Sequence, residues 1–393
     1  MKRQNSGKFR SIFYLGLLII VGLFFANVGC SLRSVTQFFQ PPPSAITEAP
    51  LIEAALSPAI QGRLVYDQPN GKLWSMSLVA NALVAPGESV PLFRLPPGTF
   101  AFQPVWSAVN QQIAYGYIQP DTATGNLSSA RLWVADIDGS NAKSITHPAP
   151  DFTGTYRDPA WSPDGRTLWT TVQLPEKDAA GVVRFRSEIR RVDVASGDET
   201  VIIPNGRGAA ISPNGQWIAY LAPGNSGDGM AIWRSKTDGS DTSLLVPSDR
   251  FEEIYIPMRF SPDGQALAFA AADAQNQLQR TPGPKSNSWF PGPFQALSFQ
   301  TIQLQRLTAL FRPRPVHAHG LYPADVWLVD VETGELERLT QLSEDHPTPV
   351  WSPDGHNLAF AGVLGIYLID VAERSAIRLT DQGIDGQIEW IGE

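Results

Sequence analysis

The stretch Ala160-Trp161-Ser162-Pro163-Asp164-Gly165 decides the fold, because the chain repeats it in five versions. Proline presets φ at the second position of a tight turn, Asp or Asn tolerates the third position, and glycine closes the turn. A short apolar run follows each version, which indicates a hairpin between two strands. The other four versions are Val105-Trp106-Ser107, Ala210-Ile211-Ser212-Pro213-Asn214-Gly215, Arg259-Phe260-Ser261-Pro262-Asp263-Gly264 and Val350-Trp351-Ser352-Pro353-Asp354-Gly355.

Each repeat continues with a second phrase, then a turn and a last strand, as in Leu132-Trp133-Val134-Ala135-Asp136. Four strands per unit, repeated about every fifty residues, are typical of propeller blades. Residues 63–94 lack a first strand, and Gln387-Ile388-Glu389-Trp390-Ile391 at the C-terminus supplies one. The pattern predicts an all-β fold over residues 62–393. The predicted fold is a six-bladed β-propeller of four-stranded antiparallel blades, in which the C-terminal strand closes the ring.

These phrases resemble the TolB-like propeller repeat over residues 62–391, with Trp-Ser-Pro-Asp-Gly as its marker. The resemblance implies the propeller fold. It implies little about activity, since TolB, the propellers of prolyl oligopeptidases and many bacterial surface proteins share this repeat. TolB has an α/β domain ahead of its propeller. Residues 31–61, which precede the repeat here, are too few to form such a domain. We therefore expect a TolB-like propeller protein with a role other than that of TolB.

Composition excludes several classes of function. Of 393 residues, 43% are apolar and 17% charged, with 33 Gly and 33 Pro, which is typical of a folded, turn-rich chain. The formal charge of −8 argues against a nucleic-acid binder. A single cysteine excludes intrachain disulfides and a cysteine-built zinc site. We expect a monomer without cofactor or metal.

Residues 1–30 have the pattern of an export signal or membrane anchor. Four basic residues precede an uncharged run from Ser11 to Val28, and Gly29-Cys30-Ser31 follows. The position of Cys30 resembles the lipobox of bacterial lipoproteins, in which the cysteine is acylated and becomes the new N-terminus, although Asn27 departs from that pattern. The run also has nearly the length of a single membrane span. Both alternatives place the rest of the chain outside the cytoplasm on a tether.

Two further segments stand apart from the repeat. Residues 31–61, with Pro41-Pro42-Pro43, have no periodic pattern and are interpreted as a linker. Residues 274–324 form an insertion in blade five that has five basic and no acidic residues, whereas residues 30–393 together carry a net charge of −12. The insertion either contacts anionic lipid or an acidic partner, or folds across the acidic mouth of its own propeller.

The long loops indicate where a ligand binds. The loops between second and third strands and the links between blades are longer and more irregular than the opposite turns, and long loops on a rigid scaffold carry binding. The aromatic residues Tyr156 and Trp289 are candidates for stacking on a sugar. The candidate ligand-binding residues on this face are Tyr156, Arg157, Arg250, Glu252, Glu253, Trp289, Phe290, Arg306, Arg312 and Arg314.

No sequence motif of a known catalytic site is present. The chain contains no Gly-x-Ser-x-Gly, His-Glu-x-x-His or phosphate-binding glycine loop. The Asp of each Ser-Pro-Asp-Gly belongs to turn chemistry, since it recurs from blade to blade. The first hypothesis is a non-enzymatic, membrane-tethered module of the bacterial cell envelope that binds a protein, peptide or glycan. The alternative is a polysaccharide lyase or glycosidase acting at the channel mouth with carboxylates and one or two histidines.

Overall fold

The strands of the propeller account for most of the chain that the structure describes. The computed structural model describes residues 45–51, 60–78, 88–120, 128–147, 152–178, 181–225, 227, 229–273, 322–381, 383–384 and 386–392. These residues form six four-stranded antiparallel sheets and contain no α-helix. Within the same ranges, a helix with the length and apolarity of a membrane span is not found. Residues 1–30 and the insertion up to residue 321 lie outside the described residues.

The strands follow one another blade by blade along the chain. The first three are β1 (Arg63–Asp67), β2 (Leu73–Ser77) and β3 (Ser89–Pro91). Blade 2 consists of β4 (Phe100–Ser107), β5 (Gln112–Ile118), β6 (Arg131–Asp136) and β7 (Lys143–Ser144). Blade 3 consists of β8 (Thr155–Trp161), β9 (Thr167–Lys177), β10 (Val183–Asp193) and β11 (Glu199–Pro204).

The remaining strands complete the set. Blade 4 consists of β12 (Arg207–Ile211), β13 (Trp217–Pro223), β14 (Met230–Lys236) and β15 (Ser243–Val246). Blade 5 consists of β16 (Glu253–Phe260), β17 (Ala266–Ala272), β18 (Asp325–Asp330) and β19 (Leu336–Arg338). Blade 6 consists of β20 (Thr348–Trp351), β21 (Asn357–Ala361), β22 (Ile366–Asp370) and β23 (Ser375–Arg378), and β24 (Ile388–Ile391) ends the series.

The C-terminal strand closes the ring, as the sequence predicted. β24 pairs antiparallel with β1, with Trp390 opposite Leu64 and Ile388 opposite Tyr66, so that blade 1 has the order β24-β1-β2-β3. The Trp390 indole donates a hydrogen bond to the Gln61 carbonyl at 3.0 Å. The innermost strands β24, β4, β8, β12, β16 and β20 each contact the next around the ring. Both the six-blade count and the closure are thereby confirmed.

The Ser-Pro-Asp-Gly phrases form the tight turns between first and second strands. In blade 3 the Ser162 hydroxyl donates to Asp164 Oδ1 at 2.6 Å, the Arg166 amide donates to the same oxygen, and the Gly165 amide donates to the Ser162 carbonyl. Gly165 has a φ of 68°, which an L-residue side chain disfavours. The carboxylate is therefore occupied in holding the turn, as the repetition of the phrase predicted. We call the side of the ring with these turns the turn face and the opposite side the link face.

The apolar core lies between neighbouring blades. One cluster joins Leu221 of blade 4 to Phe269 and Trp327 of blade 5, and comparable clusters fill the other boundaries. The tryptophans of the repeat also tie blades together: the Trp161 indole donates to the Val105 carbonyl at 3.2 Å, and the Trp351 indole donates to the Arg259 carbonyl at 3.1 Å. These tryptophans therefore pack between the sheets of neighbouring blades.

The described part of the segment interpreted as a linker, residues 45–51, runs along the outer edges of blades 5 and 6. Ile46 is 5% exposed and forms a parallel bridge with Thr340, and Leu51 forms one with Arg378. The Ile46 amide donates to the Leu339 carbonyl at 2.9 Å, and the Gln341 amide donates to the Ile46 carbonyl at 2.7 Å. These bonds occupy main-chain groups that an exposed sheet edge would leave unpaired.

Candidate binding site at the channel mouth

Tyr156 does not lie at a ligand-accessible surface, which corrects its prediction as a stacking residue. It is fully buried at the boundary of blades 2 and 3, where its ring packs 5.5 Å from that of Phe152. Its hydroxyl donates to Glu199 Oε1 at 2.7 Å, and burial raises the pKa of that hydroxyl. The ring therefore stabilises the contact between two blades.

The other predicted residues are dispersed. Arg157 is half-buried, and Arg250 lies over the rings of Phe251 and Trp327 at 5.3 and 5.4 Å, which is cation–π geometry. Glu252 is exposed on the link between blades 4 and 5. Cys30, Trp289, Phe290, Arg306, Arg312 and Arg314 lie outside the described residues and stay predictions.

Glu253 is the predicted residue that the structure brings into a polar cluster. It begins β16 on the link face and accepts a hydrogen bond from the Tyr255 hydroxyl at 2.6 Å. Burial raises the pKa of its carboxyl, and Tyr255 and Arg207 oppose that shift. Tyr255 is 3% exposed, and its ring packs edge-on against His346 with 4.2 Å between centroids. A carboxyl, a phenol and an imidazole therefore meet between blades 5 and 6.

Arg207 stands opposite this group and was not predicted. It begins β12, between Asp158 of blade 3 and Glu253 of blade 5, and both carboxylates act electrostatically on its guanidinium. Burial nevertheless lowers its pKa. Its Nε is buried, and no atom of the described residues accepts a hydrogen bond from it. The one signal in the sequence was the repeat itself, because Arg207 occupies the position that Arg157 occupies in blade 3.

A hydrogen-bonded pair fixes the carboxylate of Asp158. The Gln103 side-chain amide donates to Asp158 Oδ1 at 2.7 Å, and the Asp158 main-chain amide donates back to Gln103 Oε1 at 2.8 Å. Both residues have positive φ, 54° and 51°, at bulges of the innermost strands β4 and β8. A bulge re-aims the side chain it carries, so these two bulges join blades 2 and 3 at the channel.

The corresponding bulge of blade 4 contains a glycine, which lets its backbone approach blade 5 closely. Gly208 has a φ of 65°, and a Cβ there would lie 2.3 Å from Cγ2 of Ile256 in blade 5. Its amide donates to the Thr171 hydroxyl at 2.9 Å. Any side chain at this position would push blades 4 and 5 apart and displace the neighbouring Arg207. We call Gln103, Asp158, Arg207, Glu253 and Tyr255 the mouth cluster.

An ion pair crosses the channel nearer the turn face. Arg259 of blade 5 lies with its terminal nitrogen 3.4 Å from Glu389 Oε2 of blade 1, and each side chain is 16% exposed. Burial raises the pKa of Glu389, and Arg259 opposes the shift.

The mouth cluster offers hydrogen-bonding groups of both kinds to a ligand. A guanidinium binds carboxylates and carbonyl oxygens through a planar set of donors, and Glu253 offers a carboxyl to donors. Among the described residues, no group of three or more His, Cys, Asp or Glu side chains is arranged to hold a metal ion. Recognition of a polar ligand is the chemistry that this arrangement supports directly.

Comparison with known proteins gives partial likenesses. The family model for the N-terminal region of dipeptidyl peptidase IV matches residues 316–393. An uncharacterized peptidase of Bacillus subtilis is 26% identical over 225 residues, which are 55% of this chain and 31% of that protein. An uncharacterized protein of Agrobacterium fabrum is 26% identical over 206 residues, 51% of this chain and 52% of that protein. The chain thus spans about a third to a half of the length of these curated relatives.

Solved structures share the architecture at low sequence identity. TolB from Acinetobacter baumannii superposes with a TM-score of 0.52 at 16% identity, covering 84% of this chain and 66% of that chain. The hydrazine synthase of Kuenenia stuttgartiensis gives 0.54 at 12% identity, covering 85% of this chain and 47% of that one. Such likenesses concern the fold alone. With its repeat, its six blades and its closing strand, the chain is a TolB-like six-bladed β-propeller in fold.

Proposed function

We propose that this chain is a non-enzymatic binding module of the bacterial envelope that holds a protein, peptide or glycan on its link face. The observation that carries the proposal is Arg207, whose buried Nε has no acceptor among the described residues. Leaving a buried donor without a partner costs roughly 1–3 kcal/mol, more for a charged group. A ligand oxygen that reached this guanidinium would recover that free energy, which favours a ligand with carboxylate or carbonyl groups.

The surroundings of Arg207 support recognition by a rigid site. Asp158 is held by Gln103, and Glu253 by Tyr255, so both carboxylates keep their positions when a ligand enters. A preorganised site loses little conformational entropy on binding. The proposal therefore predicts that a ligand contacts the link face near Glu252 and Glu253, and that binding depends on Arg207.

Site-specific photocrosslinking in intact bacterial cells tests this placement. A photoreactive phenylalanine analogue is introduced at Glu252 on the link face and, as the control, at Lys143, which is exposed near the turn face. We expect a discrete crosslinked adduct from position 252 and none from position 143, and we expect Arg207→Gln to remove the adduct. Lys143→Gln removes the same charge and should leave it. An adduct from position 143 alone would contradict the proposal.

The tether and the insertion belong to the same proposal. Cys30 or the apolar run before it would hold the propeller at the outer side of a membrane, and the insertion would either contact anionic lipid or cover the acidic mouth. Vesicles of anionic lipid mixed with residues 45–393 distinguish the last two alternatives. Lipid contact predicts binding that weakens with salt and is lost when Arg306, Arg312 and Arg314 become Gln. Covering of the mouth predicts no vesicle binding and a changed melting temperature when the insertion is deleted.

A second candidate function rests on the meeting of Glu253, Tyr255 and His346. Two titratable groups 2.6 Å apart, with an imidazole beside them, satisfy the minimum geometry for acid–base chemistry on a polysaccharide. Incubation with a panel of acidic polysaccharides would test it through new reducing ends or the ultraviolet absorbance of unsaturated sugars. Cleavage that is lost in Glu253→Gln would establish the lyase or glycosidase alternative and overturn the binding-only proposal.

A further inference from the structure

A cleft of about 360 Å³ opens on the turn face, on the opposite side of the ring from the mouth cluster. It lies between blades 3 and 4, and its volume falls at the lower end of the range of small-molecule sites, about 300–1,000 Å³. Its walls are mostly polar. The residues that carry the argument below are Asp164, Thr167, Trp169, Arg191, Asn214 and Thr237.

Arg191 places a guanidinium in this cleft. It lies on β10 opposite Trp169 of β9, and directly opposed residues of paired strands share a face of the sheet. Trp169 packs against blade 4, so Arg191 faces blade 4 as well. Arg191 is half-buried, and within the described chain no side chain or carbonyl forms an ion pair or hydrogen bond with its guanidinium.

The next blade shows the contacts that the equivalent arginine makes elsewhere in the ring. Arg234 occupies the same position in β14, where it lies over the Trp217 ring at 4.6 Å and donates to the Val331 carbonyl of blade 5 at 2.6 Å. Strand register puts Thr167 in blade 3 where Trp217 stands in blade 4. Thr167 therefore leaves Arg191 without the indole that Arg234 lies over, while Trp169, which stands where blade 4 has Ala219, lines the cleft. In the cleft the Arg191 guanidinium has neither an aromatic ring nor a carbonyl in the positions that Trp217 and Val331 take around Arg234.

Asn214 adds a second donor from the other wall. Three of the four Ser-Pro-x-Gly turns carry Asp at this position, and only the turn of blade 4 carries Asn. Asn214 Oδ1 accepts hydrogen bonds from the Ser212 hydroxyl at 2.7 Å and the Gln216 amide at 3.0 Å. Its Nδ2 is therefore left to donate into the cleft, where the other turns would present a carboxylate oxygen. Arg191 and Asn214 therefore both offer donors to the same space.

An acceptor lies on the same walls. Asp164 Oδ1 is used by Ser162 and by the Arg166 amide, while Oδ2 is not part of these bonds. A hydroxyl of a bound molecule could donate to Oδ2. The Thr237 hydroxyl donates to the Gly215 carbonyl at 3.2 Å, and its oxygen can still accept a hydrogen bond from a second ligand hydroxyl. A molecule that fits the cleft thus needs an anionic end and hydroxyl groups.

We propose that the cleft between blades 3 and 4 binds a small polyhydroxylated carboxylate, with its carboxylate on Arg191 and Asn214 and its hydroxyls toward Asp164 and Thr237. Guanidinium binds carboxylate through two parallel hydrogen bonds, which fixes the orientation of the ligand. The site is independent of the mouth cluster, since it lies on the other face and shares no residue with it.

Isothermal titration calorimetry of the full chain in detergent, at low salt, tests the proposal with three probes. D-gluconate carries a carboxylate and hydroxyls, sorbitol carries the hydroxyls alone, and inorganic phosphate carries charge alone. We expect gluconate to bind, and sorbitol and phosphate to bind much more weakly. Arg191→Gln should weaken gluconate binding roughly 10- to 100-fold through lost charge-assisted hydrogen bonds. Arg191→Lys should also weaken it, because an ammonium cannot make the paired contact.

Two further variants keep the result interpretable. Arg63→Gln removes the same charge from an exposed arginine of blade 1, away from the cleft, and should leave gluconate binding unchanged. Thr167→Trp should fill the cleft with an indole, abolish binding and leave the circular dichroism spectrum and melting temperature intact. Unchanged gluconate affinity in Arg191→Gln, no gluconate binding by the unaltered chain, or phosphate binding as tight as gluconate binding would each overturn the proposal.

Discussion

Removing the closing strand should cost the propeller much of its stability. Ile388, Trp390 and Ile391 are 0%, 4% and 5% exposed, and β24 provides the hydrogen-bonded partner of β1. Burial of one large apolar side chain stabilises a fold by roughly 1.5–3 kcal/mol, so the three together contribute about 5–9 kcal/mol. This sum is an upper value, because the unfolded chain already buries part of that surface. The whole free energy of unfolding of a typical domain is about 5–15 kcal/mol.

Deletion of residues 386–393 should therefore leave a chain that unfolds at much lower denaturant or does not fold. The milder variant Trp390→Ala should reduce the free energy of unfolding by about 3–5 kcal/mol, since it removes the indole from the core and its hydrogen bond to the Gln61 carbonyl. Guanidinium titrations followed by circular dichroism would measure both. Val109→Ala, at a residue 66% exposed, should change the free energy by less than about 0.5 kcal/mol and serves as the control.

A truncated chain with the same unfolding midpoint as the intact one would refute the argument. It would mean that blade 1 holds together with three strands and that the ring does not depend on the pairing of its two ends. A loss in Trp390→Ala equal to that in Val109→Ala would refute it equally, because the cost would then be unrelated to burial.

Three further predictions concern other parts of the chain. Cys30→Ala should abolish incorporation of labelled fatty acid and leave an unprocessed precursor on gels, whereas an unlabelled, unchanged parent protein would favour the transmembrane anchor. Ile46→Asp should lower the free energy of unfolding by about 2–5 kcal/mol, because it puts a charge where a buried side chain packs on blades 5 and 6, and Leu51→Asp, at a residue 41% exposed, should cost far less in the same titration. Glu344, which accepts a hydrogen bond from the Tyr367 hydroxyl, is buried, and burial raises the pKa of its carboxyl above the ordinary 4.5. The folded state therefore holds a proton there that the unfolded state has lost. The stability of the parent relative to Glu344→Gln should consequently fall as pH rises from about 4 to 8. Denaturation midpoints of the two proteins that stay parallel over that range would contradict this last prediction.

The architecture could be predicted from the sequence because its determinants are local. Each Ser-Pro-Asp-Gly turn is held by bonds within five residues, such as those of Ser162 with Asp164 and Thr167, so the phrase itself specifies the hairpin. The missing first strand near residue 63 and the unpaired one near residue 390 specify closure in the same way. A repeated local signal in a fixed order leaves few arrangements other than a ring of blades.

Of the mouth cluster the sequence predicted Glu253 alone, because the cluster depends on contacts between blades. Its charged residues come from strands about fifty residues apart, and bulges in β4, β8, β12 and β16 interrupt the alternation of side chains that sequence reasoning assumes. Tyr156 was expected at the surface and is buried, while Asp158, two residues later, faces Gln103. Residues 45–51 escaped prediction for another reason, since main-chain bridges to blades 5 and 6 require no side-chain pattern.

The proposed cleft site arises where one blade departs from the others, whereas Arg207 of the mouth cluster keeps the repeat position that Arg157 has in blade 3. A repeat keeps equivalent positions in equivalent surroundings, so a side chain that the fold requires tends to find the same partner in each blade, as the serine of every Ser-Pro-x-Gly turn does. Arg191 lacks the ring and the carbonyl that its counterpart Arg234 contacts, and Arg207 has a buried nitrogen without an acceptor in the described chain. Polar groups left unsatisfied in a native structure weaken the fold. At Arg207 the proposed ligand would recover that cost, and at Arg191 it would take the place of the ring and the carbonyl that Arg234 contacts.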